Sequence, residues 1–168
     1  GLGTDDDIAE ICNSLMDAGA PKATHDPADM RDPVAVRSMI DRATERFGGI
    51  GILINNAGIQ HVAPVADFPI DKWDDVLAIN LSAVFHASAA AAVHMAAAGW
   101  GRIINISSVH GLVASPYKSA YVAAKHGVIG LTKTMALEHA RGAITVNAIC
   151  PGWVRTPLVE QQIVARAK

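Results

Sequence analysis

Apolar and polar positions along the chain alternate between helix-length amphipathic stretches and short apolar runs. Thr4 stands before Asp5, Asp6 and Asp7, a capping residue followed by an acidic first turn, and predicts a helix that ends at Gly19. Asp32 followed by Pro33 opens a second helix in the preferred order, cap and then proline in the first turn, closed by Gly48. Asp71 and Asp74 begin a long third helix with Trp73, Leu77, Leu81, Val84 and Phe85 on one side, stopping at Gly99. A fourth runs from about Ser119 to Arg141, with Gly142 after it. Between them lie Ile50–Asn55, Arg102–Ser107 and Ile144–Ile149, rich in β-branched residues and without clean alternation, as in parallel strands covered on both faces. Strand and helix in turn predict an α/β fold, a doubly wound, Rossmann-like parallel sheet with helices on both faces, here in a single domain over residues 1–168.

A dinucleotide-binding sheet should open with a strand, a glycine-rich turn and a helix whose N-terminus holds the pyrophosphate. Gly1-Leu2-Gly3-Thr4 leads straight into a helix with no apolar strand before it, so the chain is expected to start after that unit.

Ser108, Tyr121 and Lys125 carry the strongest chemical signal. Tyr121 and Lys125 are four apart on the fourth helix and share a face, their side-chain roots about 6 Å apart. An ammonium beside a phenol favours the phenolate by roughly 3–4 kcal/mol at a separation of about 4–5 Å and an effective dielectric of about 20. A phenol tuned in this way can take a proton from an alcohol or return one to a ketone. Ser108 follows the end of a strand, where ligands of open α/β sheets gather, and its hydroxyl can hold the reacting oxygen.

Composition narrows the function. The chain is 51% hydrophobic and 18% charged, an ordinary globular balance, and its net charge of −2 leaves no electrostatic footprint for nucleic acid or an anionic membrane. Apolar runs such as Ala87–Ala98 are too short to span a bilayer, and the acidic opening is unlike a secretory leader. Two cysteines, Cys12 and Cys150, form no disulfide framework and suit a cytoplasmic home. Seven histidines show no metal-ligand spacing, so no metal site is expected, and His86 and His94 read as packing or solvated residues.

Five motifs then align in order and spacing: Asn55-Asn56-Ala57-Gly58 after a strand, Asn80 in the long helix, Asn105-Ile106-Ser107-Ser108, Tyr121-Val122-Ala123-Ala124-Lys125, and Pro151-Gly152-Trp153-Val154-Arg155-Thr156. Together they resemble the short-chain dehydrogenase/reductase family over nearly the whole chain. The resemblance implies a catalytic tetrad: Tyr121 as acid/base, Lys125 tuning it and holding the nicotinamide ribose, Ser108 polarising the substrate oxygen and Asn80 anchoring a relay water. For the cofactor, expected to be NAD, it implies Asp29 at the adenine end and Asn56, Ala57 and Gly58 near the adenosine ribose. Pro151, Gly152, Val154 and Thr156 would frame the nicotinamide and pyrophosphate.

Ile59-Gln60-His61, Val109-His110-Gly111, Lys118-Ser119-Ala120 and Cys150-Pro151-Gly152-Trp153 further resemble the branch of that family that oxidises (R)-3-hydroxybutanoate. This implies Gln60, His110, Lys118 and Gln162 on the carboxylate of a small hydroxy acid and Trp153 as an apolar wall. It also implies a homotetrameric parent, with a first strand between one ending near Asp29 and Ile50–Asn55, and a last helix and strand past Lys168. The chain without those ends is expected to be marginally stable and to bind NAD poorly. Two alternatives stay open: another short-chain reductase, such as a 3-oxoacyl-carrier-protein reductase using NADPH, and a remnant without activity.

Overall fold

The computed structural model of the chain describes residues 3–154. In order they form α1 (Asp5–Asp17), α2 (Pro33–Phe47), β1 (Ile52–Asn55), α3 (Ile70–Leu77), a π-helical turn (Ala78–Ser82), α4 (Ala83–Ala98), β2 (Gly101–Ile106), α5 (Ser119–Glu138) and β3 (Ile144–Ile149). Short 3₁₀ turns at Val65–Asp67 and Val109–Gly111 interrupt the loops. The strands pair in parallel in the order β1-β2-β3, with Leu53 opposite Ile103 and Ile103 opposite Val146. This is a Rossmann-like α/β arrangement, as expected.

The helix ends follow from local chemistry. Thr4 Oγ1 accepts from the Asp7 amide at 3.2 Å while the Asp7 carboxylate accepts from the Thr4 amide at 2.8 Å, a reciprocal cap. The three carboxylates of that first turn oppose a phosphate there. Asp32 Oδ1 accepts from Val34 and Ala35, and Pro33 occupies the first helical position. Gly48 and Gly99 close α2 and α4 at φ 76° and 70°, the left-handed conformation that glycine adopts without steric cost. The fourth helix stops at Glu138, three residues before the expected Arg141, and the chain turns there with the Gly142 amide donating to His139 O.

Register decides which strand residues face the core. Ile103, Ile144 and Val146 cluster with Val36 and Ile40 of α2, Ala83, Ala87, Ala91 and Met95 of α4, and Met135 of α5. Three helices therefore cover one face of the sheet. The opposite face, expected to be covered as well, is bare among the described residues: Ile52 and Ile54 are each 57% exposed, and α1 buries none of its side chains. The strand expected to end near Asp29 is also absent. The chain is irregular there, Asp29 O accepting from the Asp32 amide, because a strand needs a neighbouring ladder and none of the described residues offers one beyond β1.

The long helix departs from its expected stripe. Trp73 and Phe85 are exposed, whereas Val76, Asn80, Ala83, Val84, Ala87, Ser88 and Ala91 are buried. Alanines, not large side chains, form its inner face, which lets the helix lie close to the sheet. With the π turn included, the helical run Ile70–Ala98 is 29 residues long with a mean hydropathy of 1.8, enough by length to cross a membrane. Half of that apolar stretch is buried against the sheet, α2 and α5, so it serves as a core helix. His86 and His94, read as packing or solvated residues, tie α4 to α2: Arg37 Nε lies 3.3 Å from His86 Nδ1, and His94 Nε2 lies 2.8 Å from Asp41.

Candidate active site

The three strand tips and the N-terminal half of α5 converge on one end of the sheet. Just past β2, the buried Ser108 caps the turn Val109–Gly111, its Oγ accepting from the His110 amide at 3.1 Å. That turn lies against α5. A Cβ placed on Gly111 would come within 2.4 Å of Ser107 Oγ and 2.8 Å of Lys125 O, so only glycine admits this approach. Ser107, beside Ser108, donates its hydroxyl to Lys125 O at 3.0 Å and has a structural partner of its own.

On α5, one helical turn brings Tyr121 and Lys125 together. Lys125 is only 4% exposed, and its Nζ donates to Ile106 O at 2.7 Å while lying 5.7 Å from the centre of the Tyr121 ring. Burial pulls the Lys125 ammonium down to about 8 from its ordinary 10.5. The half-buried Tyr121 ring meets His110 edge to face at 6.4 Å. Asn80 lies in the π turn and is fully buried. Its Nδ2 donates to Ile59 O at 2.8 Å and its Oδ1 accepts from the Ile59 amide at 2.9 Å, which pins the loop after β1 to the long helix.

A buried polar chain braces these elements from below. Asn55 on β1 donates to Ser88 on α4 and to Asn105 on β2, Asn105 donates to Thr132 on α5, and Thr132 donates to Val128 O. Every step is between 2.7 and 2.9 Å. Asn105 stands in one of the five motifs without a role of its own, and Thr132 in none. The available signal was a polar residue at an inward strand position, two after Ile103, and another seven after Lys125 on the same helical face.

At the far end of the site, Asp29, Met30, Arg31, Ala57, Gly58, Ile59 and Asp75 line a cleft of about 520 Å³, which unites three of the four residues expected around the adenosine. Asn56 lines a separate small void with Met30 and Leu53. The Asp29 carboxylate is already engaged: Arg31 donates to it through Nε and Nη2, the shortest distance being 2.7 Å, and holds it down to about 2. Arg31 also reaches Asp75 of α3 at 3.5 Å.

The loop carrying Gln60 meets the turn before α5 through one backbone bond, from the Ala63 amide to Tyr117 O at 3.0 Å. Gln60 Nε2 is buried without an acceptor among the described residues. Lys118, next to Tyr117, is 4% exposed and its Nζ lies 5.8 Å from the centre of the Trp153 ring. Trp153 itself is 62% exposed. Pro151 O accepts from the Val109 amide at 2.9 Å, seating the segment after β3 against the Ser108 turn, and Gly152 and Val154 continue it exposed. Thr156 and Gln162 lie outside the described residues.

The residues present fit parts of a dinucleotide. The cleft suits an adenosine and the Lys125 ammonium a ribose, while none of the described residues forms a glycine-rich pyrophosphate turn.

The profile of the short chain dehydrogenases matches residues 3–166. The D-beta-hydroxybutyrate dehydrogenase of Rhizobium meliloti (strain 1021) is 52% identical over the whole chain, which spans 65% of that relative's length. The enzyme of the same name from Cupriavidus necator is 51% identical over 94% of the chain and 66% of its own length. Among solved structures, a gluconate 5-dehydrogenase from Burkholderia cenocepacia J2315, in complex with NADP and tartrate, superposes with a TM-score of 0.87 at 38% identity, over 95% of this chain and 62% of that one. Fold, motif order and profile agree: the chain belongs to the short-chain dehydrogenase family.

Proposed function

We propose that the protein carrying this chain interconverts (R)-3-hydroxybutanoate and acetoacetate by hydride transfer to and from NAD. The observation that carries this reading is the convergence, on one strand end, of the Ser108 hydroxyl, the Tyr121 phenol and a buried Lys125 ammonium. A bound nicotinamide supplies the hydride acceptor. The chain's own residues do the rest. Ser108 holds the substrate oxygen, the Lys125 ammonium offsets the negative charge of the Tyr121 phenolate, and that phenolate takes the hydroxyl proton and is left a neutral phenol as C3 becomes a carbonyl carbon. Asn80, with both side-chain groups on Ile59, keeps a second N–H and a lone pair for a relay water.

A small hydroxy acid must be oriented by its carboxylate. The buried Lys118 ammonium supplies the cation, the orphaned Gln60 Nε2–H and His110 supply neutral donors, and Trp153 flanks Lys118 as an apolar surface. The names of the two half-identical relatives support this substrate. The NADP held by the Burkholderia enzyme makes NADP the competing cofactor.

The test is a rate comparison. Reduction of NAD by (R)-3-hydroxybutanoate is expected to outrun reduction of NADP and oxidation of the (S) acid. Lys118→Ala is expected to raise KM for 3-hydroxybutanoate about a hundredfold, because truncation strands the carboxylate charge. A 3-oxoacyl thioester, whose reacting end carries no carboxylate, would be processed unchanged by that variant. Equal losses on both substrates, or a preference for NADP, count against the assignment.

A further inference from the structure

Tyr117 is the one residue other than glycine with a positive φ among the described residues, at 64°. A bulky aromatic in the left-handed region is an outlier, held there only where the surroundings demand it. The residue is 57% exposed, so burial does not account for the strain.

What the conformation achieves is a backbone placement. Tyr117 O accepts from the Ala63 amide at 3.0 Å, and the next carbonyl, that of Lys118, accepts from Val122 to start α5. The loop between β1 and the Val65–Asp67 turn is thus clamped at two points: at Ile59 by Asn80, and at Ala63 by Tyr117. Gln60, with its orphaned buried Nε2, lies between the clamps. A chain of edge-to-face rings, His61 on Phe68 at 5.4 Å and Phe68 on Trp73 at 6.2 Å, stiffens the same loop against α3.

We propose that Tyr117 is a positioning residue whose left-handed backbone latches the Gln60 loop to the Lys118 turn and so sets the spacing of the two groups that hold the substrate carboxylate. The substrate part of this proposal rests on the reading given under Proposed function. The latch does not need the phenol, only the backbone angle. Fixed spacing of two donors acts on binding and leaves the proton-transfer groups on α5 where they are.

The experiment compares Tyr117→Gly and Tyr117→Asn, which tolerate the left-handed region, with Tyr117→Val, which does not. In the protein carrying this chain, Tyr117→Val is expected to raise KM for 3-hydroxybutanoate about tenfold, with kcat and dinucleotide affinity within about twofold, and to expose the Ala63 amide to hydrogen exchange. Tyr117→Gly and Tyr117→Asn are expected to keep both KM and Ala63 protection and to melt at a higher temperature. A raised KM or lost Ala63 protection in the glycine variant overturns the latch, as does an unchanged KM in a folded valine variant. If valine prevents folding, the glycine and asparagine variants decide alone. Should the unmodified protein fail to oxidise 3-hydroxybutanoate, the substrate reading falls, and Ala63 exchange across the three variants still decides whether the latch exists.

Discussion

Tyr121→Phe is expected to cut turnover of 3-hydroxybutanoate by about 10³-fold or more while dinucleotide affinity stays within about twofold. Phenylalanine keeps the ring, so its edge-to-face contact with His110 and its place on α5 survive, and only the hydroxyl is lost. The neighbouring groups are poor replacements. Ser108 Oγ accepts from the His110 amide and holds the substrate oxygen, and Lys125 Nζ, anchored on Ile106 O, is a donor with no lone pair for a proton while it is charged. Pre-steady-state rates, together with dinucleotide titration by fluorescence, separate the two quantities. Turnover that survives at a tenth or more of the original rate moves the acid/base role elsewhere, with His110 the nearest alternative.

The second large effect is a trade between stability and activity at Lys125. Burial holds this ammonium at about 8, well under its ordinary 10.5, so the charged side chain opposes folding. In the unfolded chain Lys125 stays protonated to about pH 10.5, while the folded form sheds its proton near pH 8. Below about pH 8 both forms are charged and the full penalty applies, about 3 kcal/mol for the difference between the two values. Between about pH 8 and 10.5 the unfolded state binds more protons, so stability rises with pH as the penalty fades.

Lys125→Met removes the charge and leaves Ile106 O without its donor, a loss of about 1–2 kcal/mol. The variant is therefore expected to be about 1–2 kcal/mol more stable at pH 7, to lose the rise in stability above pH 8, and to turn over substrate about 10²- to 10⁴-fold more slowly. Urea unfolding of the cofactor-free protein across pH 7–10.5, paired with steady-state rates, checks all three. A methionine variant less stable than the original at pH 7 contradicts the electrostatic account.

Much of this arrangement is legible in the sequence because it is local. The Thr4 and Asp32 caps, the glycines at 48 and 99, and the Tyr121–Lys125 spacing each depend on a few adjacent residues and on helix geometry. What escaped is non-local. Trp73 and Phe85 outrank alanine in any hydrophobic pattern, yet α4 turns its alanines inward, because the fit against a sheet is set by closeness as well as by apolar surface. Strands lacking alternation read as covered on both faces, and only register and burial reveal that Ile52 and Ile54 look outward here.

The site divides in the same way. Ser108 stands out by its place after a strand, but its closeness to α5 depends on Gly111, which the sequence marks only as one glycine among 14. Asp29 carries its ion pair with Arg31 two residues away, in an irregular stretch where neither helix nor strand periodicity applies. The left-handed backbone of Tyr117 has no sequence signature, since the residue types that favour it are glycine, asparagine and aspartate.

The central claim is that this strand end separates an alcohol's proton from its hydride. (R)-3-hydroxybutanoate deuterated at C3, oxidised in ordinary water by the protein carrying this chain, tests it directly by mass spectrometry of the reduced dinucleotide. The account predicts one deuterium in the reduced dinucleotide, with the hydroxyl proton lost to solvent. Deuterium appearing in water, with none in the dinucleotide, would contradict it.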